Sequence, residues 1–157
     1  MPVLILGVGN RDRGDDGVGP LAAEKLALDP VLKRLGVEAR SHSGEGASLM
    51  DLWRGHDRVI VIDAMKSGAR LGHVLRFDAA ARRLEPGTFR YSSHLFSLAE
   101  AVEMARVLGQ LPKEMIVFGI EGRKFGFGAA LSPSVAKALV RVVAEVRDFV
   151  LQGAAHA

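Results

Sequence analysis

The apolar positions of this chain follow two alternating rhythms. Continuous apolar runs at residues 3–6, 58–63 and 114–120 read as strands buried on both faces, and a weaker run covers 37–43. Between them apolar residues recur three and four apart. Val18, Leu21, Ala22, Leu26 and Leu32 predict a helix over 18–35, with Pro20 in its first turn, Pro30 breaking its far end and Gly36 closing it. A short helix is predicted over 48–53, and Leu95, Leu98, Val102, Ala105 and Leu108 line one face of another over 95–108. Ser132-Pro133 opens the last helix, serine as cap and proline in first position. Its buried face is Val135, Leu139, Val142, Val143, Val146 and Val150, and a frayed tail is expected from Gly153.

A fifth strand is expected over 72–77. Only a short turn, 64–71, separates it from the preceding run, so it should run antiparallel to it; a parallel return needs a dozen or more residues of crossover. The irregular stretch 78–93 is long for a compact domain, which marks it as functional or disordered. The pattern predicts one three-layer α/β domain over 1–152, with 153–157 as tail. Its five-stranded sheet is twisted and mostly parallel, one strand is antiparallel, and helices cover both faces.

Such sheets bind ligands beyond the carboxyl ends of their strands, where strand order reverses. The first strand, feeding the second and third on opposite sides, is the natural reversal point. The loop after it carries Gly7, Gly9 and Gly14, then Asp15 and Asp16. Its spacing is not GxGxxG, and no Gly-Lys-Ser/Thr follows. Two carboxylates where a phosphate would sit repel an anion and attract a cation. The plainer alternative is that one of them caps the next helix.

Asp16 follows strand one, Glu45 follows strand two and Asp63 ends strand three, so all three belong to one edge. An antiparallel fourth strand obliges 78–93 to carry the chain back to that edge, delivering His94 at a helix start. Two carboxylates and an imidazole suit a divalent metal with open positions. Each also has a plain role: His94 as surface or capping residue, Asp63 as acceptor for loop amides. His42, near Glu45, is a minor candidate.

Composition narrows the chemistry. At 157 residues one domain is expected, and without Cys there are no disulfides or thiolate ligands, which suits a reducing cytoplasm. Any metal must be held by Asp, Glu or His. No apolar run approaches the ~20 residues of a membrane span, and Met1 leads straight into a strand pattern without a leader, so a cytoplasmic protein without membrane contact is expected. The net charge of +3 is scattered in small groups with little aromatic interleaving, which argues against nucleic acid. Arg11 and Arg13 stand apart because they lie in the carboxylate loop itself.

At these residues the sequence resembles the hydrogenase maturation endopeptidases, which process the large subunit of nickel-iron hydrogenases. The resemblance rests on Leu4-Ile-Leu-Gly-Val-Gly-Asn10 with Gly14-Asp-Asp-Gly-Val-Gly19, then Val59-Ile-Val-Ile-Asp-Ala64, Ser92-Ser-His-Leu95 and Leu131-Ser-Pro133, in order along nearly the whole chain. Two segments depart from the family pattern: Arg11-Asp-Arg13 is more charged than usual, and Gly119-Ile-Glu-Gly122 replaces a common Gly-Ile-Gln-Pro.

The resemblance implies a peptidase of aspartic type that recognises nickel already installed in the precursor large subunit and removes its C-terminal extension. Asp16, Asp63 and His94 would be both the metal contacts and the catalytic residues; Glu45 and Arg11 would select the substrate. Nickel would arrive with the substrate on the substrate's own thiolates, so no tightly held cofactor is expected. The precursor would be the partner of an otherwise monomeric enzyme. A small-molecule metallohydrolase and a non-cutting, nickel-dependent docking chaperone are the alternatives.

Overall fold

The computed structural model describes residues 3–84 and 97–155. Five strands, β1 (Leu4–Val8), β2 (Glu38–His42), β3 (Arg58–Met65), β4 (Val74–Asp78) and β5 (Glu114–Glu121), form one sheet in the order β2-β1-β3-β5-β4. The first four in that order are parallel, and β4 pairs antiparallel with β5. The five-stranded, mostly parallel sheet is therefore as expected, with β1 between β2 and β3 at the reversal point. β4 does run opposite to β3, yet it pairs with β5. The β3–β4 turn thus passes over the position that β5 fills later.

The helices are α1 (Val18–Ala27), α2 (Pro30–Arg34), α3 (Gly46–Trp53), α4 (Leu98–Val107) and α5 (Pro133–Ala155). Strand alternation divides the core between two faces. Leu4, Leu6, Val8, Val59, Val61 and Met65 pack under α3 and α4, where Trp53 is fully buried. Ile5, Ile60, Ile62, Ile116, Phe118 and Ile120 pack under α1 and α5. Asp63 lies between Val61 and Met65 on β3, so alternation turns it toward the α3/α4 face.

Pro30 splits the predicted 18–35 helix in two. It is the first residue of α2, whose cap is Asp29, accepting from the amides of Val31 and Leu32. The same carboxylate meets Arg147 of α5 at 2.6 Å. The predicted tail is corrected: α5 continues through Gly153 to Ala155. Gly153 lies against Arg58, whose guanidinium fills the space a side chain would need. That contact holds the last turn to the sheet edge. The expected start of α4 at Leu95 falls outside the described residues; within them it begins at Leu98.

What positions the site is the approach of α1 to the strand ends. A Cβ on Gly19 would stand 2.4 Å from the Val8 carbonyl oxygen and 2.5 Å from that of Ile62. One on Gly7 would be 2.0 Å from the Gly19 oxygen. Only hydrogen fits at either position, so the helix start seats directly across β1 and β3. Gly19→Ala should therefore lose about 3 kcal/mol or more of stability, because the obstructing atoms are backbone. Urea denaturation measures it; a midpoint equal to that of the unaltered protein would contradict this packing.

Candidate functional site

The chain leaves β1 at Gly9, whose φ of 140° is open to glycine alone, and a Cβ there would fall 2.0 Å from the Asp16 carbonyl oxygen. The loop folds back on itself: Arg13 N–H donates to the Asn10 carbonyl and Asp16 N–H to that of Arg13. A 3₁₀ turn, Gly14–Gly17, then presents Asp15 and Asp16 in succession before α1. Adjacent residues on so tight a turn point different ways, and the two aspartates have separate environments.

Asp15 turns inward and is fully buried. Its carboxylate accepts from the amides of Arg123 (2.9 Å), Lys124 (3.0 Å) and Ser132 (2.7 Å) and from the Ser132 hydroxyl (2.8 Å). Burial pushes its pKa up, but these donors outweigh burial and leave it below the ordinary aspartate range. The glycine-rich segment after β5 is tied to the carboxylate loop in three more places, the first being the Asp15 amide, which donates to the Lys124 carbonyl at 2.7 Å. Gly128 N–H donates to the Asp12 carbonyl, and Arg13 stacks 4.5 Å from the Phe127 ring centre. Neither aspartate caps α1, whose start receives no side-chain hydrogen bond. The capping alternative for these acids is set aside.

Asp16 turns the other way, to the carboxyl edge of the sheet. Its Oδ2 accepts from the Asn10 amide at 2.9 Å, and partial burial raises its pKa against the pull of that amide and of the Arg13 charge. Asp63 pairs in register with Val8, the last residue of β1. It is buried, and its pKa stands well above the ordinary value, through desolvation first and the Asp16 charge second, with the Ala64 amide acting against both. The structure brings these two carboxylates together. Asp16 also lines a cleft of about 290 Å³ with Asn10, Arg11, Ser41 and His42 on the β1/β2 side.

The other predicted residues have different settings. Glu45 caps α3, accepting from the Ala47 and Ser48 amides, so its carboxylate already has a structural task. Arg11 lines the cleft and forms an exposed ion pair with Glu24 of α1. His42 accepts from the Gly44 amide at Nδ1 and meets the Ser48 hydroxyl at Nε2, which fixes its ring as a loop brace. His94 lies outside the described residues. The chain re-enters them three residues later at Ser97, at the start of α4. The far end of α4 is near the amino edge, where Arg106 reaches the carbonyls of Ala79 and Arg82. The start of α4 is thus on the carboxyl edge, above the face toward which Asp63 turns.

Sequence reasoning missed Asp15 and Glu121 as builders of this edge. Glu121, buried at the end of β5, accepts from the Ser67 hydroxyl at 2.7 Å and from the Ser67 and Gly68 amides, holding the turn that follows β3. A signal was present in both cases: an acid embedded in glycine-rich sequence at a strand end has loop amides within reach.

Two neighbouring carboxylates, one of which raises the pKa of the other, can act as acid and base across a reacting bond, or jointly meet a dication whose charge offsets their burial. Among the described residues no group of three His, Asp or Glu side chains converges to hold a metal ion. Any third ligand therefore comes from residues beyond them or from a bound partner.

The family model HycI, hydrogenase maturation protease, matches residues 44–148. The chain belongs to that family. It is a hydrogenase maturation protease, a peptidase of the hydrolase class. Among its relatives, a hydrogenase expression/formation protein HupD from Thiocapsa roseopersicina is 28% identical over 96% of this chain and 68% of its own length. The hydrogenase 2 maturation protease of Escherichia coli K12 is 26% identical over 94% and 92% of the two chains. Among solved structures, the hydrogenase 2 maturation peptidase of a Thaumarchaeota archaeon is 26% identical and superposes with a TM-score of 0.69 over 96% of this chain and 98% of its own. The maturation protease HycI of Thermococcus kodakarensis, 21% identical, shares the fold with a TM-score of 0.70 over 94% and 90%. No helix among the described residues of the protease is long and apolar enough to cross a membrane.

The two acid environments make opposite predictions. Asp15→Asn places an amide NH₂ against donors and should cost about 2–3 kcal/mol, read as a lowered urea midpoint. Unchanged stability would contradict the network. Asp63→Asn should raise the melting temperature at pH 7. A carboxyl with a raised folded pKa makes the native state lose stability as pH rises from the ordinary aspartate value through the folded one. The gain should shrink on acidification and vanish near pH ~4. A variant less stable at pH 7, or a gain independent of pH, would contradict the environment described for Asp63.

Proposed function

We propose that this protease recognises nickel already bound in the precursor of a nickel-iron hydrogenase large subunit and removes the precursor's C-terminal extension. The observation that carries the reading is the carboxylate pair. Asp16 and Asp63 lie together on the carboxyl edge, both penalised by burial and the second also by the charge of the first, and a dication brought by the substrate offsets these penalties. A site of this kind binds weakly in isolation and strongly once a partly ligated ion completes it. His94, three residues before Ser97, is the third contact in this proposal. The absence of cysteine fits, because the substrate's own thiolates hold the nickel.

The reacting peptide bond then lies beside the pair. One carboxylate takes a proton from the attacking water, which forms the bond to the scissile carbonyl carbon. The same carboxyl group then passes that proton to the departing amine as its bond to the carbonyl carbon breaks. Nickel in the substrate serves as the docking point and polarises the carbonyl. Arg11 and the loop around Glu45, on the neighbouring cleft, select the precursor in this scheme. The protein acts in the cytoplasm as a monomer.

The test mixes the purified protein with its precursor large subunit, nickel-loaded and nickel-free. Loss of the C-terminal tail only from the nickel-loaded form is expected. Stable binding without cutting would replace this reading with a docking chaperone, and turnover of a small amide without any precursor would replace it with a metallohydrolase. Asp16→Asn and His94→Ala should each lower processing by about 10²-fold or more while the circular-dichroism spectrum stays unchanged. Processing by either variant at the original rate would remove that residue from the mechanism.

A further inference from the structure

A second and larger cleft, about 550 Å³, opens between the turn after β3 and the end of β5. Its walls are Lys66, Ser67, Gly68, Ala69, Glu121, Gly122 and Arg123. In the strand order this cleft lies on the β5 side of β3 and the cleft lined by Asp16 on the β1/β2 side, and the lining here begins at Lys66, three residues after Asp63. Its floor is rigid: Gly122 N–H donates to the Met65 carbonyl, and Glu121 holds Ser67 and Gly68.

The rim of this cleft has one sign of charge. Lys66 and Arg123 are exposed on opposite lips, and exposed Arg70 and Lys124 adjoin the lining residues Ala69 and Arg123 in the chain. The ion pairs of the described residues engage none of these four cations. The one carboxylate in the lining, Glu121, is buried and faces three donors from Ser67 and Gly68, so it offers little to a cation at the rim. Unpaired cations around a concave, partly desolvated surface attract and orient an acidic partner.

We propose that the β3–β5 cleft docks an acidic stretch of the protein that is processed, through Lys66 and Arg123, on one side of the bond to be cut. This rests on the reading that a protein chain crosses the carboxylate pair, and it assigns the chemistry of one flank of that chain. The β1/β2 cleft, with Asn10 and Ser41, receives the other flank. The rim cations steer the approach, and the two lips hold the acidic stretch in register with Asp63.

Equilibrium binding to the nickel-free precursor tests the inference apart from cutting. Lys66→Glu with Arg123→Glu should weaken the Kd by roughly tenfold or more, and Lys66→Gln with Arg123→Gln by less. Lys33→Glu with Arg34→Glu on α2, at the amino edge, changes net charge equally and should leave the Kd within about twofold. Affinity of the unaltered protein should fall as salt rises. Equal effects of the cleft and α2 pairs, no effect of either, absent binding by the unaltered protein, or tighter binding of a random-sequence oligonucleotide than of the precursor would each overturn the inference. Whether the nickel-loaded precursor is cut is scored separately. A precursor that binds with this charge dependence yet is never cut overturns the proposed function and leaves the docking assignment standing.

Discussion

The close seating of α1 across the ends of β1 and β3 is the constraint on which the site depends. It exists because Gly7, Gly9 and Gly19 present only hydrogen to neighbouring carbonyls. That contact brings the loop carrying Asp16 to the end of β3, close enough for the Asp16 charge to raise the pKa of Asp63. An ordinary side chain at any of the three glycines would push the helix start or its loop away and shift Asp16 relative to Asp63. The electrostatic tension of the site is therefore a product of backbone packing, and the fold sustains it elsewhere.

Asp15 is where much of that support comes from. It ties the loop after β1 to the segment after β5 through four hydrogen bonds, so two strand ends separated by β3 are fixed relative to each other. The neighbouring acids have opposite characters for this reason. One is satisfied by amides and ionises readily; the other is left to oppose Asp63. Glu121 repeats the device on the β3–β5 side. Buried acids that brace loops thus surround the pair that is left exposed to chemistry.

Much of this was legible in the residues. Runs such as 58–63 gave buried parallel strands, and the short 64–71 connection gave the reversed direction of β4, because crossover length is a geometric limit. The convergence of Asp16 and Asp63 followed from strand order alone. What was not legible depends on contacts distant in sequence. β4 lies beside β5, a partner that comes later in the chain. Arg58 reaching Gly153 keeps α5 helical where composition suggested fraying. The capping role of Glu45 turns on φ and ψ at one residue, and the inward turn of Asp15 on donors more than a hundred residues away. Adjacent acids look alike in sequence, and only the tertiary fold gives them different neighbours.

The central physical claim is that Asp63 is held at an elevated pKa by burial and by the charge of Asp16. Carbon-detected NMR titration of the aspartate side-chain carboxyls measures this directly, with the pair treated as coupled. Asp63 should titrate well above the ordinary aspartate range, and its midpoint should fall when Asp16 is replaced by Asn. An ordinary midpoint in the unaltered protein, or one that Asp16→Asn leaves in place, would contradict the account.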